Sequence, residues 1–298
     1  MTTHFEKQAI TGSYHRAARR NKIRTIFTQG GAYTWLILLS ITTALPFIWM
    51  ISTSLKPRPE IFYFRFFPLE PTIKNYIDVL TRWQYGTWFF NSIVVTLITT
   101  FSTLLFCSLC GYALAKYKFW GRSLFFTLIL ATIMVPSEML LIPWFVGAFK
   151  LEVVDSLTGV VFPGLIGAFG VFVMRQAFMN IPKELLDAAR VDGMSELAIF
   201  FKIAIPLTSS ALAALGVLTA LGAWNDYFWP LIITQSVDRF TLQRGMMHAA
   251  AADAGRESTV AWDIVMTSTT ISALPMLILV ILLQKYFVKG IALSGLKQ

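Results

Sequence analysis

Charged residues are scarce in this 298-residue sequence, making up 14% of it, against about 25% in an average soluble domain. Apolar and aromatic residues make up 56%, and the mean hydropathy is +0.63. So few charges could not cover the surface of a water-soluble fold of 33.5 kDa. The composition therefore argues against a soluble enzyme and predicts a chain that lies in a lipid bilayer.

Residues that carry chemistry are also rare. The two cysteines, Cys107 and Cys110, lie within one apolar run, which favours packing over redox chemistry and leaves no disulfide scaffold or zinc motif. The three histidines are scattered, so they predict no metal site. The phosphate-binding pattern G-x-x-x-x-G-K-[ST] is absent. We therefore expect no catalytic residues, no metal and no bound cofactor in this chain.

Long apolar runs are what the sequence has in quantity. A membrane-spanning helix needs about 20 mostly apolar residues, and six stretches meet that length closely enough. We therefore predict an all-α membrane protein with six spans. They are Ala32–Ser54, Trp88–Ala115, Ser123–Phe149, Leu157–Met174, Pro206–Thr234 and Ile264–Leu283.

The net charge of +9 follows this topology. With the N-terminus in the cytoplasm, sixteen of the 25 Lys and Arg residues fall in cytoplasmic segments, as the positive-inside rule requires. No basic-aromatic groove or recognition motif indicates nucleic-acid binding. The sequence therefore predicts a multi-pass membrane protein with both termini cytoplasmic.

The segment between the fourth and fifth spans contains two short helices by its capping pattern. Asn180 and Pro182 fit the start of the first helix, and Gly193 fits the left-handed residue that ends it. Ser195 fits the cap of a second helix that runs toward Pro206. The first helix is too short to span a bilayer and has one apolar side, so it is suited to docking in a groove of another protein.

The residues of this segment carry a resemblance. Glu184-x-x-Asp187-Ala188-Ala189-x-x-Asp192-Gly193, followed by Ile203-x-Ile205-Pro206, resembles the "EAA" coupling loop of permease subunits of ATP-binding-cassette (ABC) importers. Asp187 stands where that family usually has Glu, and Ile205 where it has Leu. Further motifs in the family's order extend the resemblance, specifically to the carbohydrate-uptake branch of the MalG type. They are Ser54-Leu-Lys56, Pro71-Thr72, Asn75-Tyr76, Asn91-Ser92, Met134-Val135-Pro136, Trp224-Asn225-Asp226 and Pro230-Leu231.

The resemblance implies a type I ABC importer permease in a bacterial or archaeal cell membrane, with a division of labour. Two ATPase subunits, which bind ATP with Mg, would drive a permease domain at 32–290 through a coupling loop at 175–206, between cytoplasmic tails at 1–31 and 291–298. A second permease would complete a heterodimer, and an extracytoplasmic binding protein would deliver sugar, in part to the outward loop 235–263. The loop could equally be a disordered connector. The coupling residues implied are Glu184, Asp187, Ala188, Ala189, Asp192, Gly193 and Pro206.

Carboxylates inside predicted spans are candidates for the translocation path. Glu138 lies in the third span beside Pro136, which is expected to kink it. Asp226, beside Asn225, lies about 20 residues into the fifth span, or about 30 Å along a straight helix, which places it near the outer interface. Gly164, Gly167 and Gly170 suggest a helix contact surface, although glycine is common in membrane helices in any case.

Other transport functions remain open. A permease of the same family could carry a polyol, a glycerol phosphate or an amino acid instead of a sugar. An ion-coupled secondary transporter would need a site at the membrane midplane and usually an internal repeat, and neither is evident in the sequence.

Overall fold

The computed structural model describes residues 29–254 and 261–295, and every regular element within them is helical. The predicted N-terminal tail therefore lies outside the described residues up to residue 28, and the last three residues of the predicted C-terminal tail do so as well. The helices are α1 (Gln29–Ser54), α2 (Lys74–Arg82), α3 (Tyr85–Lys116), α4 (Arg122–Ile133), α5 (Leu141–Lys150), α6 (Leu157–Val161), α7 (Ala168–Met179), α8 (Lys183–Val191), α9 (Glu196–Ile199), α10 (Ile205–Leu207), α11 (Ser209–Asn225), α12 (Phe228–Ile233), α13 (Leu242–Ala254) and α14 (Trp262–Gly295).

Six spans are present if bent helix pairs are counted as one span each. Within the described residues, α1, α3 and the first part of α14 are each long and apolar enough to cross a membrane unbroken. The other three are pairs: Arg122–Ile133 with Ser137–Lys150, bent by 100°; Leu157–Gly164 with Ala168–Met179, bent by 49°; and Glu196–Leu207 with Ser209–Asn225, bent by 81°. The number of predicted stretches is matched, but three of them are not straight.

Two helix breaks have a proline at the position that explains them. A proline inside a helix clashes with the carbonyl four residues earlier. Pro136 accounts in this way for the end of α4 at Ile133, and the expected kink is confirmed. Pro230 lies four residues after Asp226, whose backbone is extended. The prediction of one helix over Pro206–Thr234 is therefore wrong, because α11 stops at Asn225 and α12 begins at Phe228.

Helix α3 is the centre of the bundle, and its first turns bind the segment that precedes α13. The indole N–H of fully buried Trp88 donates to the carbonyl of Val237 at 2.8 Å. The amide of Asn91 donates to the carbonyls of Asp238 and Phe240 at 2.9 Å. The described part of loop 235–263 is thus ordered by α3, and the alternative of a disordered connector does not hold there.

The other end of α3 carries α8 and α9. Lys116 ends α3, and its ammonium group donates to the carbonyl of Ile181, just before α8, at 2.7 Å. Arg175 of α7 donates to the carbonyl of Leu114 at 3.3 Å. Helices α8 and α9 form a helical hairpin, so we call this the hairpin end of the bundle. The opposite end, where α3 contacts the segment before α13, is the α13 end.

Helices α3 and α7 meet where side chains are smallest. A Cβ atom on Gly111 would lie 2.8 Å from the backbone nitrogen of Arg175, and one on Gly170 would lie 2.7 Å from the sulfur of Cys107. Small residues allow such close approach of helices in lipid. Gly164 also contacts α3, at Thr99, and the backbone of Gly167 exchanges hydrogen bonds with the Cys107 thiol at 3.3 and 3.5 Å, so the predicted glycine surface is confirmed at all three positions.

Valine at Gly111 is expected to destabilise the protein, because its branched side chain would collide with the α7 backbone. We expect a loss of about 1–3 kcal/mol in the free energy of unfolding, the usual range for overpacking. Gly86→Val is the control, since Gly86 lies on the same helix and a Cβ atom there would meet no neighbour within 4 Å. The measurement is the midpoint of thermal unfolding in detergent, and equal midpoints for the two variants would contradict the packing argument.

Candidate functional site

The first part of the candidate site is the hairpin segment, residues 183–207, which contains α8, α9 and α10. Gly193 turns the chain with φ +83°, in the left-handed region. The hydroxyl of Ser195 accepts a hydrogen bond from the backbone N–H of Ala198 at 3.3 Å, and so caps α9. The two short helices and both of these turn residues are as the sequence predicts.

The predicted cap at Asn180 is wrong. Helix α8 begins after Pro182, and Asn180 instead ends α7, where its amide donates to the carbonyl of Gln176 at 3.1 Å. The physical reason is that a residue before proline avoids the helical region, so the helix could not include Ile181.

Between α9 and α10 the helix widens into a π turn, Phe200–Ala204. The backbone N–H of Ile205 bonds to the carbonyl of Phe200, five residues earlier, instead of the usual four. The chain then bends at Thr208 into α11. The hairpin segment is therefore continuous with a membrane span through one widened turn and one bend.

Helix α8 has a buried side and an exposed side. Leu186 and Ala189 are buried against Phe178, Ile199 and Phe200. The opposite side is available for contact with another molecule. Of the predicted coupling residues, Glu184, Ala188, Asp192, Gly193 and Pro206 are exposed and Asp187 is half-buried, while Ala189, at 5% exposure, packs inside.

An ionic network fastens the two arms of the hairpin segment to each other. The guanidinium of Arg190 on α8 donates to Asp187 at 2.6 Å and to Glu196 of α9 at 2.7 Å. The hydroxyl of Tyr117, which follows α3, donates to the other oxygen of Glu196 at 2.6 Å. The network therefore also ties the hairpin segment to the central helix.

These contacts shift the ionisation of the network. The hydrogen bonds from Arg190 and Tyr117 lower the pKa of the Glu196 carboxyl. Burial, together with the hydrogen bond to Glu196, raises the pKa of Tyr117 to about 12. At neutral pH the network thus holds an ionised carboxylate and a neutral phenol. The Asp187 and Arg190 spacing was visible in the sequence, but the contact between Tyr117 and Glu196 joins residues 79 positions apart and had no local signal.

The second part of the candidate site is a cavity of 540 Å³ inside the bundle. Helix α3, the bend between α4 and α5, the residues around Gly164, helix α11 and the start of α12 form its walls. Glu138 and Asp226 both line it, although counting along straight helices separates them in depth. The breaks at Pro136 and Asp226 account for the difference. Asn225 is not among the lining residues, and its amide donates to the carbonyl of Leu221 at 2.9 Å.

The sequence model of the family described as binding-protein-dependent transport system inner membrane component matches residues 107–293. The chain belongs to this family. The permease is 36% identical to the arabinooligosaccharides transport system permease protein AraQ of Halalkalibacterium halodurans, over 89% of this chain and 96% of that one. It is also 36% identical to the sn-glycerol-3-phosphate transport system permease protein UgpE of Pectobacterium atrosepticum, over 70% and 73% of the two chains.

A solved structure agrees with the fold. The permease superimposes with a TM-score of 0.76 and 27% identity on a chain of a bacterial ABC transporter involved in the import of the acidic polysaccharide alginate. The match covers 89% of this chain and 98% of that one. The permease is therefore an all-helical, multi-pass membrane protein with the fold of a type I ABC importer permease, as the sequence predicts.

Replacing Glu196 by Gln is expected to lower stability at neutral pH by about 1 kcal/mol or less, the range for a partly exposed ionic network. Because the pKa of Glu196 is lowered in the folded chain, its contribution is present above the unfolded value of about 4.3 and is lost as pH falls through the lowered value. The difference in thermal unfolding midpoint between parent and variant should therefore shrink from pH 7 to pH 3. Glu184→Gln, on the exposed side of α8, is the control, and a difference independent of pH would contradict the assignment.

Proposed function

We propose that this permease forms half of the translocation path of an ATP-driven, binding-protein-dependent sugar importer. The observation that carries the proposal is the similarity to AraQ, which extends over 89% of the chain and includes both parts of the candidate site. A second AraQ, from Bacillus subtilis, is 34% identical over 88% of the chain. The alginate importer adds a structural neighbour that carries a saccharide.

The hairpin segment is the proposed contact with an ATPase subunit. This sequence has no phosphate-binding loop, so ATP, with Mg, would bind to two partner ATPases. The exposed side of α8, with Glu184, Ala188 and Asp192, would lie in a groove of one of them. Force applied there reaches the membrane through the π turn to α11 and through the Glu196–Tyr117 contact to α3.

The remaining partners would contact other surfaces. A second permease, distinct from this one, would complete the path. A sugar-loaded binding protein would dock at the α13 end, where α3 holds the ordered segment before α13. Support comes from a structural neighbour that shares the fold of this chain at 14% identity. That neighbour is a bacterial alginate ABC transporter in complex with a periplasmic protein bound to an alginate pentasaccharide.

The proposed orientation is supported by the charge distribution and the fold together. Lys116, Arg175 and Lys183 all lie at the hairpin end, on the side that the positive-inside rule assigns to the cytoplasm. Six crossings return the chain to that side. Both termini would then be cytoplasmic, and the α13 end would face outward.

A second candidate is the import of a glycerol phosphate, which UgpE supports by its identity over 70% of the chain. The two candidates differ in the charge of the solute. ATP-driven uptake of arabinotriose and of sn-glycerol 3-phosphate by the assembled transporter in proteoliposomes would distinguish them. Uptake that runs without ATP on an ion gradient would overturn both.

Crosslinking tests the ATPase contact residue by residue. A cysteine at exposed Ala188 should crosslink to an ATPase subunit in the assembled complex. Ala189→Cys is the matched control, since residue 189 is buried and adjacent, and it should crosslink at least about tenfold less because its side chain faces the bundle. Equal crosslinking at both positions, or none at Ala188, would count against the proposed docking side.

Valine at Gly193 should uncouple ATP hydrolysis from uptake. The left-handed backbone costs a non-glycine residue about 1–2 kcal/mol, and more for a β-branched one, while no neighbour lies within 4 Å to clash with a side chain. We expect the amount of sugar transported per ATP hydrolysed to fall several-fold. Gly193→Asn is the control, because asparagine tolerates this conformation. If both variants transport normally, the turn does not transmit the movement.

A further inference from the structure

The cavity inside the bundle is lined by acidic side chains and, among the described residues, by no basic side chain. Its lining includes two carboxylates, Glu138 on the bend between α4 and α5 and Asp226 at the end of α11. Glu138 is exposed to the cavity. None of the described lining residues is Lys, Arg or His. A solute inside the cavity would therefore experience a negative electrostatic potential, which the low-polarity surroundings strengthen.

Hydroxyl groups without partners face the same space. Thr99 lines the cavity at 8% exposure, and within the described part of the chain its hydroxyl has no hydrogen-bond partner. The hydroxyls of Ser137 and Thr219 line the cavity in the same unpaired condition. Thr103 differs, because its hydroxyl donates to the carbonyl of Gly164 at 2.8 Å. These unpaired hydroxyls are open to the cavity, so each can form a hydrogen bond with a polar occupant.

Aromatic rings complete the lining near Asp226. Trp144 and Trp229 pack edge to face with ring centroids 5.9 Å apart. The indole N–H of Trp229 donates to the carbonyl of Gly159 at 3.0 Å, which fixes the orientation of its ring. Trp229 itself is buried at 3% exposure, so it holds the ring of half-buried Trp144, which is the aromatic surface available to the C–H face of a sugar ring, while carboxylates and hydroxyls suit the hydroxyl groups of the sugar.

We propose that this cavity is a subsite on the transport path that accepts uncharged polyhydroxy solutes and rejects anions, with Glu138 and Asp226 as the residues that determine charge selectivity. The proposal rests on the proposed function and narrows the class of solute that the permease transports. Two carboxylates can accept hydrogen bonds from sugar hydroxyls, but they repel a phosphate or uronate group that has no basic side chain to pair with. A glycerol phosphate or an acidic saccharide is thereby excluded from this half of the path.

The charge of the cavity can be measured without knowledge of the natural sugar. Thr219→Cys places a reporter thiol on a half-buried lining position of α11. In the assembled transporter, its rates of reaction with a trimethylammonium-ethyl and a sulfonatoethyl methanethiosulfonate reagent are compared, after subtraction of the reaction of the parent chain. The ratio of the same two rates for 2-mercaptoethanol gives the intrinsic preference of a free thiol for the cationic over the anionic reagent.

We expect the cation-to-anion rate ratio at the reporter to exceed the free-thiol ratio by about tenfold, as for a cleft of one charge sign. Glu138→Gln and Asp226→Asn, each added to the reporter, should lower the ratio toward the free-thiol value. Glu70→Gln is the matched control, because Glu70 is exposed and not among the residues that line the cavity, and it should leave the ratio unchanged.

Three results would overturn the proposal: a ratio equal to that of the free thiol, a ratio unchanged by both cavity variants, or no reaction with either reagent. Each leaves the proposed function standing if the transporter without the reporter takes up arabinotriose with ATP. A transporter that shows the expected ratios but no ATP-driven uptake of neutral oligosaccharides would instead refute the proposed function, and with it the acceptance of sugars, while the charge selectivity of the cavity would stand.

Discussion

Helices α3 and α7 approach so closely at Gly111 and Gly170 that a methyl group would not fit at either position without movement of its neighbour. Helix α3 also carries polar contacts that hold both ends of the molecule. At one end Trp88 and Asn91 of α3 hold the segment before α13. At the other, Lys116 holds the start of the hairpin segment. Because packing replaces the hydrophobic effect in lipid, the position of the hairpin segment relative to the α13 end depends on this one contact.

The hairpin segment is stiff because it is fixed at several points. The buried side of α8 packs on α7 and the π turn, Arg190 joins α8 to α9, and Tyr117 joins α9 to α3. A lever of this kind transmits displacement only if its own parts do not move relative to one another. The ionic network serves that purpose at the surface, where apolar packing is not available on the exposed side.

Much of the fold could be predicted from the sequence, because apolar length and cap residues are local signals. The six stretches, the kink at Pro136, the left-handed Gly193 and the Ser195 cap depend on residues within a few positions of each other. The break at Asp226 could have been found from Pro230, four residues later, but the apolar run masks it. The network of Tyr117 and Glu196, and the meeting of Glu138 with Asp226 at one cavity, arise from tertiary packing and have no local pattern.

In the candidate site, too, local sequence signals predict some features and tertiary packing determines the others. The amphipathic pattern of α8 separates its two sides, yet the resemblance treats Ala188 and Ala189 alike, and only the packing of α7 and α9 places Ala189 inside. Residue type was a good guide to which segment matters, and a poor guide to which atoms another protein could reach.

The π turn at Phe200–Ala204 holds one residue more than an ordinary helical turn. The widened turn absorbs this residue locally; in a regular helix the extra residue would instead rotate everything downstream by about 100°, since each residue of an α-helix adds that angle. Helix α11, with Thr219 and the rest of its cavity face, would then point to lipid or to a neighbouring helix. The number of residues between α9 and α11 therefore governs the alignment of the path as strictly as their identity does.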